Sequence, residues 1–125
     1  MPAGSPVKIP NQPVSVQVSV KAGYAGIGSY HLRLWSPQGN TILMDKSGTF
    51  LTPDDDDYTL PLQAKDLNGY YVESLASISQ AGAIENWSHV VTVSVPGQAA
   101  QPVTHSDHFA SGATITDQLI IQLEF

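Results

Sequence analysis

The chain has 125 residues, no cysteine and a formal net charge of −6. That length carries one domain with one core, and neither a disulfide framework nor a thiolate metal site can hold it together. Its basic residues are Lys8, Lys21, Arg33, Lys46 and Lys65, so the clustered cations that grip nucleic acid or an anionic membrane surface are missing.

Residues 1–13 contain Pro2, Pro6, Pro10 and Pro13. They read as an irregular lead-in, and with no apolar h-region they do not form a signal peptide. Val14, Val16, Val18 and Val20 then alternate with polar residues. Side chains on a strand alternate between faces, and β-branched residues favour strands, so this is a strand with one apolar face. Lys21–Ser29 is a glycine-rich loop. Tyr30–Ser36 alternates again, with Tyr30, Leu32 and Leu34 on one face and His31, Arg33 and Trp35 on the other. Pro37–Asn40 is a tight turn, which makes Thr41–Asp45 the partner strand of a hairpin.

Lys46–Asp57 is a long connection. Tyr58–Leu62 alternates but holds Pro61, which cannot donate to a ladder, so it reads as an edge strand or a bulge. Asp66–Gly69 is a turn. Tyr70–Ser79 is a strand of open facing, with Val72 on one side and Tyr71, Glu73 and Leu75 on the other. Gln80–Asn86 is a loop. Trp87–Val95 is a strand ended by Pro96-Gly97. Gln98–Gly112 is polar and irregular, with a short strand near Val103. In the last strand, Thr114–Phe125, the apolar residues Leu119, Ile121, Leu123 and Phe125 share a face. Seven to eight strands with turns about every ten residues are the pattern of an all-β antiparallel sandwich, immunoglobulin-like or of related Greek-key topology, over residues 14–125. No run approaches the roughly 20 apolar residues of a membrane helix.

Two acidic or histidine-rich clusters suggest chemistry. Asp54, Asp55, Asp56 and Asp57 form a run of oxygen ligands of the kind calcium takes. If loops at 21–29, 46–57 and 80–87 share one end, Glu85 and Asn86 join them, and the His105 segment lies at the opposite end. The register is not that of an EF-hand, since Thr59 and Lys65 occupy the positions of its glycine and glutamate. The plain alternative is a solvated acidic loop. His105, Asp107 and His108 carry groups that zinc or a metal-dependent hydrolase would use, or else form a titrating polar loop. No nucleophile elbow or phosphate-binding loop is present, and Ser, His and Asp make a triad by geometry rather than inventory, so the chain reads as no enzyme.

Aromatic residues supply the other candidates. Trp35, Arg33 and His31 form an outward stripe that would stack on a sugar or anchor a protein, unless Trp35 turns inward to plug the core. Tyr24 and Trp87 join them as ligand-binding residues. The expected function is a non-enzymatic binding or assembly module acting through protein–protein contacts or self-association. The alternative is a lectin-like carbohydrate-binding module, assisted by calcium at Asp54–Asp57. If the valine strand lies at a sheet edge it is the place for pairing with another chain; if it is central, the loops become the better surface.

Overall fold

The structure, a computed structural model, describes residues 4–24, 27–50, 57–80, 84–110 and 114–125. Among these residues nine strands occur: β1 (Ser5–Lys8), β2 (Gln17–Gly23), β3 (Ile27–Trp35), β4 (Ile42–Thr49), β5 (Asp57–Thr59), β6 (Tyr71–Ser79), β7 (Asn86–Ser94), β8 (Gln101–His108) and β9 (Thr114–Glu124). They form a five-stranded sheet in the order β1-β9-β6-β3-β4 and a four-stranded sheet in the order β5-β2-β7-β8. The two sheets form a sandwich. No helix among the described residues is long and apolar enough to cross a membrane.

Alternation fixes which face is buried. Val16, Val18 and Val20 have no exposed surface, nor do Leu32, Leu34, Val72, Ile78, Val91, Val93, Leu119, Ile121 and Leu123. Each such side chain contributes about 1.5–3 kcal/mol relative to an exposed one, and together they make a continuous core. Tyr30 belongs to it as well; its hydroxyl meets that of Tyr58 at 2.6 Å. Gly48 sits opposite Tyr30 on β4. A Cβ there would lie 2.3 Å from the Tyr30 hydroxyl oxygen, so only glycine leaves room for the ring.

Three features differ from the sequence reading. The proline-rich lead-in contains β1, which runs parallel to β9 and delivers Val7 and Ile9 to the core. Pro6 is tolerated there because β1 is an edge strand. All other pairings are antiparallel. The segment expected to be irregular around Val103 forms the eight-residue β8. Its polar composition hid it, because only one face of this edge strand meets the core. The count of nine strands, against seven or eight, follows.

The same register corrects the placement of the histidine segment. Gly23 pairs with Ser88, Asn86 with His108, Ser29 with Thr49, and both Ile27 and Thr114 with Ser79. The strand ends at Gly23, Ile27, Thr49, Ser79, Asn86, His108 and Thr114 therefore gather at one end of the sandwich. The end of β8 lies with the Gln80–Asn86 connection rather than away from it, because β8 is a strand that carries the chain back.

The valine strand is internal. β2 lies between β7, along its whole length, and β5, over Gln17–Ser19. The sheet edges are β1, β4, β5 and β8. β1 and β5 are short, β8 carries Pro102, and β4 places the exposed Lys46 opposite the core residue Leu32, so a charge stands on its core-facing side. Short strands, proline and inward-facing lysine are features that discourage edge-to-edge pairing.

Candidate functional site

The outer face of the five-stranded sheet assembles the first group of candidates. On β3 the residues between Tyr30, Leu32 and Leu34 point outward, so His31, Arg33 and Trp35 lie in a line. Direct cross-strand partners share a face. Trp35 therefore stands beside Tyr71, Arg33 between Asp45 and Glu73, and His31 between Ser47 and Leu75.

Glu73 organises this face. It is 6% exposed although it lies on the outer side of the sheet. Trp35 Nε1 donates to its Oε1 at 3.0 Å, and Gln118 Nε2 donates to its Oε2 at 2.6 Å. Arg33 Nη1 is 3.9 Å from Oε1, while Arg33 Nε reaches Asp45 Oδ2 at 3.3 Å. A carboxylate removed from water must recover its hydrogen bonds from protein; Trp35 and Gln118 supply them here, with the Arg33 guanidinium alongside as a charge partner. Trp35 thus does not plug the core. Its ring is half-buried on the outer face, with its N–H committed to Glu73. His31 Nδ1 lies 3.5 Å from Asp45 Oδ1 at the exposed margin.

The second group meets at the end of the sandwich. Tyr24, Asn86, Trp87, Ser106, Asp107 and His108 line a pocket of about 260 Å³. Tyr24 is 55% exposed and has φ 55°, the sole positive value outside glycine among the described residues. That backbone region is costly for a bulky residue. Trp87 lines the same pocket and is buried. His108 Nδ1–H donates to Asn86 Oδ1, and Asp107 Oδ1 accepts from the His108 backbone N–H. The five aromatic and polar candidates from the sequence thus fall into two places, His31, Arg33 and Trp35 on one sheet face and Tyr24 and Trp87 at the end.

Of the acidic candidates, the two that the structure describes, Asp57 and Glu85, lie apart. Asp54, Asp55 and Asp56 lie outside the described residues. Asp57 begins β5 opposite Ser19, which is level with Thr92 on β7. Glu85 precedes Asn86, seven residues from Thr92, so at about 3.3 Å per residue it lies about 20 Å along the sheet from Asp57. Among the described residues no group of three or more His, Cys, Asp or Glu side chains is placed to hold a metal ion.

A third arrangement sits between the sheets. Ser74 on β6 and His89 on β7 have no exposed surface. Ser74 Oγ is 2.7 Å from His89 Nε2, and His89 Nδ1 is 2.8 Å from Asp117 Oδ2 on β9. His105 on β8 places its Nδ1 3.0 Å from the same oxygen. An ionised carboxylate only accepts, so both Nδ1 atoms donate to Asp117 and Ser74 donates to His89 Nε2. Burial lowers the His89 pKa below its usual 6.5, against the raising effect of Asp117. The order Ser, His, Asp is that of a nucleophilic triad. However, Ser74 Oγ is sealed in the core and no scissile bond can approach it, so the arrangement links the sheets.

His105 was marked by the sequence as part of a histidine-rich segment; Ser74, His89 and Asp117 were not. A signal existed for two of them. His89 falls in step with Trp87, Val91 and Val93, and Asp117 with Leu119, Ile121 and Leu123. A polar residue on the apolar beat of a strand marks a buried partner. Comparison of the chain with protein-family models, with curated proteins and with solved structures found no match.

Proposed function

We propose that the chain is a non-enzymatic binding module that engages a protein partner face-on, through the outer side of its five-stranded sheet. The observation that carries this reading is the Glu73 cluster. It presents Trp35, Tyr71 and Arg33, the residue types that dominate protein interfaces, and it fixes Trp35 and Arg33 in place before binding, which lowers the ordering cost of association. The guarded edges support docking on the face over strand addition, and the internal position of β2 supports the same choice. As scaffold we take a Greek-key sandwich related to the immunoglobulin one, with its last two strands divided between the sheets where an immunoglobulin domain keeps them together.

The test is binding by the purified chain. Proteins retained by immobilised wild type, then purified, should bind Trp35→Ala at least about thirtyfold more weakly, as loss of a hot spot of about 2 kcal/mol requires. A Thr104→Ala control on β8 should bind as wild type does. Equal affinity for Trp35→Ala would overturn the proposal. Sedimentation of the chain alone shows whether the partner is a second copy.

A second reading is favoured by the end pocket, where Tyr24 and Trp87 meet Asn86, Asp107 and His108. An exposed aromatic ring beside polar groups is a setting for a sugar ring. A glycan array with calcium and with chelator tests it, and binding in neither condition removes it.

A further inference from the structure

We infer that Ser74, His89, Asp117 and His105 form an acid-sensitive latch that fastens edge strand β8 and its neighbour β7 to β9 and β6, and that loosens β8 when the pH falls. The file crosses the sandwich from one sheet to the other. Ser74 and Asp117 belong to the five-stranded sheet, His89 and His105 to the four-stranded one. β8 is paired on one side only, through β7. Its His105 side chain, 40% exposed, faces an Asp117 side chain that is 17% exposed, so water reaches the outer end of the file and not the inner one.

At neutral pH the Ser74 hydroxyl, both ring nitrogens of His89 and the Asp117 carboxylate all have partners within the file. His89 donates from Nδ1 to Asp117 and accepts at Nε2 from the Ser74 hydroxyl, which requires a neutral ring. A further proton has one place to go, Nε2. It displaces the Ser74 hydrogen, so that the hydroxyl must turn from donor to acceptor. It also places a cation where no water reaches.

The surroundings offer limited compensation. From β9 His89 faces the Asp117 carboxylate, from β8 the His105 ring directly opposite, and from β6 Ser74, with Ala76 as the Cα partner of Asp117. From β2 it faces Ala22. Asp107 lies one same-face position further toward the end of β8, opposite Trp87. One carboxylate is therefore shared by two rings, so its charge does not serve His89 alone.

The direction of the pH effect follows from linkage. Burial holds the folded His89 pKa below 6.5, so an opened or unfolded chain takes up the proton first as the pH falls. Stability from this group is fully present above 6.5 and is lost as the pH falls toward the lowered folded value. One proton changes the opening equilibrium by at most about tenfold per pH unit.

Hydrogen exchange on the full chain at pH 7.5, 6.5 and 5.5, corrected for intrinsic rates, tests the latch. Protection of the β8 amides should fall between pH 6.5 and 5.5 by up to about tenfold, while β3 and β6 keep theirs. His89→Gln can still donate to Asp117 and accept from Ser74 but cannot titrate, so the part of the β8 pH effect due to His89 should be lost. Unchanged β8 protection in wild type, or a full pH effect in His89→Gln, overturns the proposal. If that variant does not fold, imidazole nitrogen shifts of the wild type decide. Protonation of His89 should coincide with loss of β8 protection; protonation with β8 still protected overturns it.

Discussion

Glu73 and Ser74 are consecutive residues of β6, and they serve opposite sides of one sheet. Glu73 faces outward and is covered by Trp35, Gln118 and Arg33. Ser74 faces inward and begins the file through His89 to Asp117. Both regions are polar groups with satisfied hydrogen bonds, but they differ in the reach of water. The outer cluster can trade a protein partner for solvent when one is lost. The inner file cannot, because a donor or acceptor stranded between the sheets keeps its whole desolvation cost.

Substitutions that remove single members should expose this asymmetry. The largest effect belongs to His89→Ala, which strands the Ser74 hydroxyl in the core and leaves Asp117 with His105; it should cost about 3–5 kcal/mol of unfolding free energy, from the unpartnered hydroxyl and the cavity left by the ring. Gly48→Ala should follow at about 1–3 kcal/mol, because the new methyl meets the Tyr30 hydroxyl and forces repacking; thermal unfolding would report it. Glu73→Ala should cost about 1–2 kcal/mol, since Trp35 and Gln118 lose a charged acceptor but lie near solvent. Its denaturation midpoint should drop while the slope of the transition stays at the wild-type value. Asp45→Ala should be smallest, below about 1 kcal/mol, because its pairing with Arg33 is exposed; a loss of several kcal/mol would mean that the outer cluster is as structural as the inner file.

The sequence made the outer region legible in part. Alternation along β3 placed Tyr30, Leu32 and Leu34 in the core and His31, Arg33 and Trp35 outside, and the register agrees. Glu73 and Gln118 stayed hidden because the outward side of β6 holds Tyr71, Glu73 and Leu75, as apolar a set as its inward side around Ser74. No periodicity separates two such faces. The inner file was hidden for another reason: its members come from four strands, and their meeting depends on sheet order and on β8, whose polar sequence concealed its pairing. The proline count argued against any strand in the lead-in, yet Pro6 needs no donor at an edge, and Val7 and Ile9 supply the apolar anchors.

Urea unfolding of His89→Ala and Glu73→Ala, measured side by side with wild type at pH 7.5 and 5.5, tests the contrast most directly. At pH 7.5 the inner variant should lose at least about 1 kcal/mol more than the outer one. Between the two pH values Glu73→Ala should retain the wild-type fall in stability, and His89→Ala should lose the part due to His89. Equal losses at pH 7.5, together with an unchanged pH dependence in His89→Ala, would contradict the account.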